Sequence, residues 1–115
     1  MAKKTIIDLS TDDDVNAGAT EITVHPSAVP ISKTARITRF GGTAPLDSDG
    51  IQGLTILQWG SGGTWKTIRA FSSSFADIIL DKEFEGDGTK TFRLVRVNRS
   101  AATKPMIAWV EGLII

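Results

Sequence analysis

The chain has no cysteine. That one absence excludes disulfides, thiolate catalysis and cysteine-ligated zinc together, and it leaves the redox compartment open. There is a single histidine, His25, set directly before Pro26. A nucleophile needs a base and an orienting partner, and the serines cluster in turns with no nucleophile-elbow pattern. Most acids sit in turn motifs, not in pairs that would project into a cleft. No enzymatic activity is expected, and no cofactor. A net charge is lacking too: thirteen basic and thirteen acidic residues cancel. A general phosphate-binding surface usually needs a basic excess, so no nucleic-acid partner is expected. No segment approaches the roughly 18 apolar residues of a membrane span, and Met-Ala-Lys-Lys-Thr is not followed by the apolar core of a signal peptide. The expectation is a chain made in the cytoplasm with no membrane partner. Helical periodicity is also absent: no long window keeps apolar residues at helical spacing without an intervening glycine or proline.

What is present favours strands. With 115 residues, 41% of them apolar and 23% charged, the chain suits one globular domain over residues 1–115 with one hydrophobic core. Short runs rich in Thr, Ile, Val, Phe and Trp are cut by "NAG", "HPSAVP", "FGGTAPLDSDG", "GSGG", "FEGDGTK" and "NRSAATKP". They define eight candidate strands: Thr5–Leu9, Thr20–His25, Thr34–Phe40, Leu54–Trp59, Trp65–Phe71, Asp77–Leu80, Thr91–Asn98 and Met106–Ile114. In "FSSSFADIILDKEF" a helical turn competes with a strand. Strands at this spacing make an all-β antiparallel sandwich, with a jelly roll the natural arrangement of eight.

Alternation assigns faces. In "ATEITVH", Ile22 and Val24 oppose Glu21, Thr23 and His25, which reads as a half-buried strand; in "KTARITRF", Ala35 and Ile37 oppose Arg36 and Thr38. Two later strands are apolar on both faces. Leu54 and Ile56 oppose Leu57 and Trp59, while Met106, Ala108, Val110 and Ile114 oppose Ile107, Trp109, Leu113 and Ile115. A two-layer sandwich covers one face of each sheet, so these strands call for a loop, a terminal arm or a second subunit as cover, and a homo-oligomer is expected.

The stretch "QWGSGGTW" brackets a glycine loop with Trp59 and Trp65. A phosphate cradle needs a helix N-terminus, and strands flank these glycines instead. The simpler reading is a β-hairpin with tryptophans packed across it, the rings facing core, neighbour or sugar. "PLDSDGIQG" and "EFEGDGTK" offer Asp47, Asp49, Glu85 and Asp87 as hard oxygen ligands, but neither completes a calcium loop, and Asp-Gly is ordinary turn chemistry. No metal site is expected there or at the acidic run Thr11–Asp14, which reads as a solvated loop. Arg36 with Arg39, and Arg93 with Arg96, are oddly spaced and so project from opposite strand faces; they read as surface charge or as the polar rim of an apolar contact.

The C-terminal run "FEGDGTKTFRLVRVNRSAATKPMIAWVEGLII" reads as turn, long strand, corner and closing apolar strand. Together with the β-rich, cysteine-free first half, it resembles the small accessory virion proteins of tailed bacteriophages, the capsid decoration or cement type. The resemblance is one of size, strand layout and composition over most of the chain. It implies a non-enzymatic structural protein of the virion that forms symmetric clusters, trimers above all, and binds the major capsid protein or another virion protein. Residues 1–9 fit an N-terminal arm or edge strand, and the contact candidates, read from the residues and not from any family motif, are Lys3, Lys4, Ile6 and Ile7 there and Trp109, Leu113 and Ile115 on one apolar face of the last strand. The competing expectation is a carbohydrate-binding β-sandwich module, lectin-like or serving host recognition in a tail, with Trp59 and Trp65 as stacking platforms.

Overall fold

The computed structural model describes residues 5–47 and 50–115. Twelve strands follow in order: β1 (Thr5–Thr11), β2 (Asp14–Val15), β3 (Thr20–Val24), β4 (Thr34–Thr43), β5 (Leu46–Asp47), β6 (Gly50–Ile51), β7 (Gly53–Ser61), β8 (Thr64–Phe71), β9 (Phe75–Glu85), β10 (Thr91–Asn98), β11 (Lys104–Pro105) and β12 (Ala108–Ile114). The eight long ones match the eight sequence-derived strands one for one. The segment in which a helical turn competed is the longest strand, β9. Met106 and Ile107 precede β12 instead of opening it.

Sheet I has the order β1-β12-β4-β9 and sheet II the order β3-β10-β7-β8, and every pairing is antiparallel. Counting only the eight long strands in chain order, sheet I reads 1-8-3-6 and sheet II reads 2-7-4-5. That is a jelly roll: a long antiparallel pairing of the chain's two halves, rolled so that successive pairs alternate between layers. The short pairs β2–β11 and β5–β6 lie in segments that cross from one sheet to the other.

The core lies between the sheets. Ile7 and Leu9 (β1), Ala35, Ile37 and Phe40 (β4), Leu57 and Trp59 (β7), Phe92 and Leu94 (β10), and Val110 and Ile114 (β12) all point into it. Register makes the inward rows consistent, with Phe92 beside Trp59, Leu94 beside Leu57, and Val110 beside both Leu9 and Phe40. On β7 and β12 the opposed sets are those that alternation separates, and the structure turns the sets with Leu57 and Trp59 and with Val110 and Ile114 inward.

Two face assignments are corrected. On β3, Ile22 and Val24 point outward, 51% and 46% exposed, and Thr23 faces inward beside core residue Leu94. The cause is register. His25 N donates to Phe92 O at 2.8 Å and Asn98 N to Ala19 O at 3.0 Å, locking β3 to β10 at both ends. A short edge strand takes its faces from its neighbour, whatever its own pattern. The second correction concerns Arg36 and Arg39. Against β12, an irregularity between Ile37 and Arg39 inserts a residue into β4, so Ile37 and Phe40 both point inward although three apart. Their neighbours Arg36 and Arg39 therefore share the outward face. Arg93 and Arg96 lie on an unbroken strand and do take opposite faces, outward and inward.

Candidate interaction surfaces

The hairpin at "QWGSGGTW" has Ser61 paired with Thr64 across a two-residue Gly62-Gly63 turn, and Gly62 takes a positive φ of 56° that L side chains avoid. Its tryptophans part company. Trp59 is 8% exposed, with ring centroids 4.6 Å from Phe92 and 5.2 Å from Phe84. Trp65 lies half-buried on the outer side of sheet II; its Nε1 donates to Gly62 O at 2.8 Å, and Arg93 stacks over its ring at 4.2 Å. One ring is interior and the other carries a guanidinium on its face, so the two form no shared platform.

Of the acidic stretches, "EFEGDGTK" resolves as a turn, while the described flanks of "PLDSDGIQG" are the paired strands β5 and β6. Asp87 Oδ1 accepts from Thr89 N, Thr89 Oγ1 and Lys90 N, each at 2.9 Å. These donors, the backbone N–H groups of Thr89 and Lys90 first, hold its carboxyl well below its ordinary 3.8, at about 2. Asp49 and the side chain of Asp47 lie outside the described residues. Among the described residues no three His, Cys, Asp or Glu converge as a metal site. Asp87's depressed value carries a linkage consequence. A carboxylate whose folded value is lower than its unfolded one stabilises fully above about pH 4, and that contribution is lost as pH falls toward 2. Asp13, Asp77 and Asp81 are lowered in the same direction by hydrogen bonds from Thr11 and Arg96, from Arg39 and from Arg36. The urea midpoint is expected to fall between pH 4 and 2, and Asp87→Asn should flatten that slope while lowering the midpoint at pH 7.

The outer face of sheet I is charged and apolar at once. Arg39 makes a bidentate bridge to Asp77, with Nε to Oδ1 at 2.8 Å and Nη2 to Oδ2 at 2.6 Å; Arg36 Nε reaches Asp81 Oδ1 at 2.7 Å. Ile79, between those two aspartates on β9, is 84% exposed. Trp109 covers Gly41, where a Cβ would meet the indole at 2.7 Å, and its ring lies 6.3 Å from exposed Phe75. Ile6, 71% exposed and opposite Leu113, borders a shallow depression of about 340 Å³ with Asp8, Thr38 and Glu111.

The outer face of sheet II differs. One row crosses all four strands, Ile22–Val95–Ile56–Ala70, with Val97 and Leu54 on one side of it and Val24, Arg93 and Gln58 on the other. Arg93 Nε donates to Gln58 Oε1 at 2.7 Å, so this cation is held by a neutral partner and the Trp65 ring.

Of the contact candidates, Ile6, Trp109, Leu113 and Ile115 are wholly or partly accessible on sheet I or at its end. Ile7 is not: it is fully buried in the core, because β1 pairs along β12 as an edge strand and alternate residues must face inward. Lys3 and Lys4 lie outside the described residues.

Neither a protein-family model nor a curated protein matches the chain. Among solved structures, the Yersinia pseudotuberculosis-derived mitogen has a TM-score of 0.58 with 11% identity, over 94% of this chain and 85% of that one. At that identity the likeness is one of fold.

One polar site escaped alternation. Arg96, 1% exposed, continues the inward row Phe92–Leu94 of β10. Its Nη1 donates to Asp13 O at 3.0 Å and Met106 O at 2.7 Å, and its Nη2 to Asp13 Oδ1 at 2.7 Å. Asn98, next on that row, holds Val15 O and Ala102 O through Nδ2 at 2.8 and 2.9 Å. Both fasten crossing loops to sheet II. The signal was a polar continuation of an apolar row at strand parity.

Proposed function

We propose that the chain is a non-enzymatic structural protein that self-associates and docks on a viral capsid shell as a decoration protein. The observation that carries this reading is the apolar surface on the outward faces of both sheets. A binding module with one partner needs one such face. A protein that joins copies of itself and also grips a lattice needs two, and many modest contacts then add as avidity. The sheet I face, with Ile6, Leu113 and Trp109 among ion pairs, has the mixed character of a non-obligate contact and is the side assigned to the shell. The glycan-binding alternative loses its paired platform with Trp59 in the core.

The test mixes the purified chain with empty capsids assembled from the shell protein encoded in the same genome. Saturable co-sedimentation is expected, weakened at least tenfold by Ile6→Lys with Leu113→Lys. Absence of the wild-type chain from the capsid pellet at tens of micromolar overturns the reading.

A further inference from the structure

We infer that the outer face of sheet II is where the chain binds a second copy of itself. The inference rests on the proposed function only in taking the chain to be self-associating, and it moves the contact away from the terminal strands that the sequence suggested. The row Ile22–Val95–Ile56–Ala70 and its neighbours Val24, Leu54 and Val97 make an apolar field across four strands, with Val95 at its centre buried beneath its neighbours and the accessible area carried by Ile22, Val24 and Ala70 and in part by Leu54, Ile56 and Val97. Ile22 and Val24 are about half exposed on an edge strand whose own alternation would have buried them.

Charge decides the occupant. Sheet I turns Arg36, Arg39, Asp77, Asp81 and Glu111 outward, whereas the charge on the sheet II field is Arg93, already held by Gln58 and Trp65. Burying charged groups against an apolar field leaves them unpaired, so the fitting partner is itself uncharged and apolar. The surface of that description on this molecule is the same face. Homo-oligomer contacts are the class most depleted in charge and richest in apolar area. A copy is also the partner always present when the chain is made. The scale is that of a small contact: strands of five, eight, nine and eight residues, about 4.8 Å apart, project to about 500 Å² before side-chain relief, below the roughly 800 Å² per partner of a standard interface, so association in the micromolar range is expected. Arg93 on Trp65, at the rim of the field, supplies the arginine and tryptophan anchor that such contacts favour.

Light scattering and sedimentation of the full chain from about 1 to 500 µM test this. Wild type is expected to show a mass that is a multiple of 12.3 kDa. Ile22→Lys should raise the concentration for half-association at least tenfold, while Ile79→Lys, on the other sheet, should leave it unchanged. Both positions are exposed, and a cooperative urea transition verifies that each variant folds. A monomer throughout the range overturns the inference, as does dissociation by Ile79→Lys with Ile22→Lys still associated. A chain that associates in this way but fails to co-sediment with capsids keeps the inference and rejects the shell reading. One that co-sediments as a monomer does the reverse.

Discussion

Trp59→Ala is expected to cost about 3–5 kcal/mol of folding stability, against about 0.5–1.5 kcal/mol for Trp65→Ala. The two residues share a hairpin and a residue type, so the difference isolates burial. Trp59 closes one end of the core in a triad with Phe84 and Phe92, whose own rings meet edge-on at 5.4 Å. Truncation removes the whole indole from between them and leaves a cavity that two strands in register cannot collapse to fill. Against a typical total of about 5–15 kcal/mol, that loss is a large fraction. Trp65→Ala forfeits one hydrogen bond to Gly62 O and the stacking of Arg93, both at the surface. Urea denaturation followed by far-ultraviolet circular dichroism measures both. Trp59→Phe should recover most of the loss by keeping an aromatic plane against Phe92. Equal midpoints for the two alanine variants would contradict the interior placement of Trp59.

Local chemistry made much of this fold readable. Breakers such as "GSGG" and "FEGDGTK" bound the strands, and β7 and β12 kept their parity from end to end, so Leu57 stays with Trp59 and Val110 with Ile114 on one face, the face that the structure turns inward. What stayed hidden depends on partners distant in sequence. The flip of β3 is set by bonds between residues about seventy positions apart, such as His25 to Phe92. The common face of Arg36 and Arg39 comes from one extra residue in β4 relative to β12, which no local pattern announces but which Asp77 and Asp81, four apart on β9, confirm by meeting one arginine each. The candidate surfaces divide in the same way. The sheet I residues came from parity on β12, which was intact. The sheet II field needed the true face of β3, because Ile22 and Val24 complete it only once they are known to point outward.

Arg96→Met carries the other large expected effect, a loss of about 3–5 kcal/mol in spite of nearly conserved side-chain volume. The guanidinium is buried, yet the carboxylate it meets is not: Asp13 is 68% exposed where Arg96 is 2% exposed, both by side chain. Their ion pair alone is therefore a minor part of the effect, since solvent screens one partner. The larger part lies with the carbonyls of Asp13 and Met106, which receive the charged donor Nη1 at 3.0 and 2.7 Å. Methionine fills the space and donates nothing, so these acceptors lose their charge-assisted bonds and the segments before β2 and before β12 lose their common anchor. Hydration of the guanidinium in the unfolded wild type works in the opposite direction and offsets part of this loss, which is why the expected net change does not exceed that range. Arg96→Lys should fall between, because a single ammonium cannot span Met106 O and Asp13 Oδ1 with the geometry of a planar fork. Urea midpoints rank the three proteins, and amide exchange locates the change. Faster exchange confined to β2, β11 and Met106 N, which donates to Asp13 O, would mark a clasp on the crossing loops. A variant as stable as wild type, with unchanged protection there, would show that the buried guanidinium gains no more from its carbonyls than it loses from water.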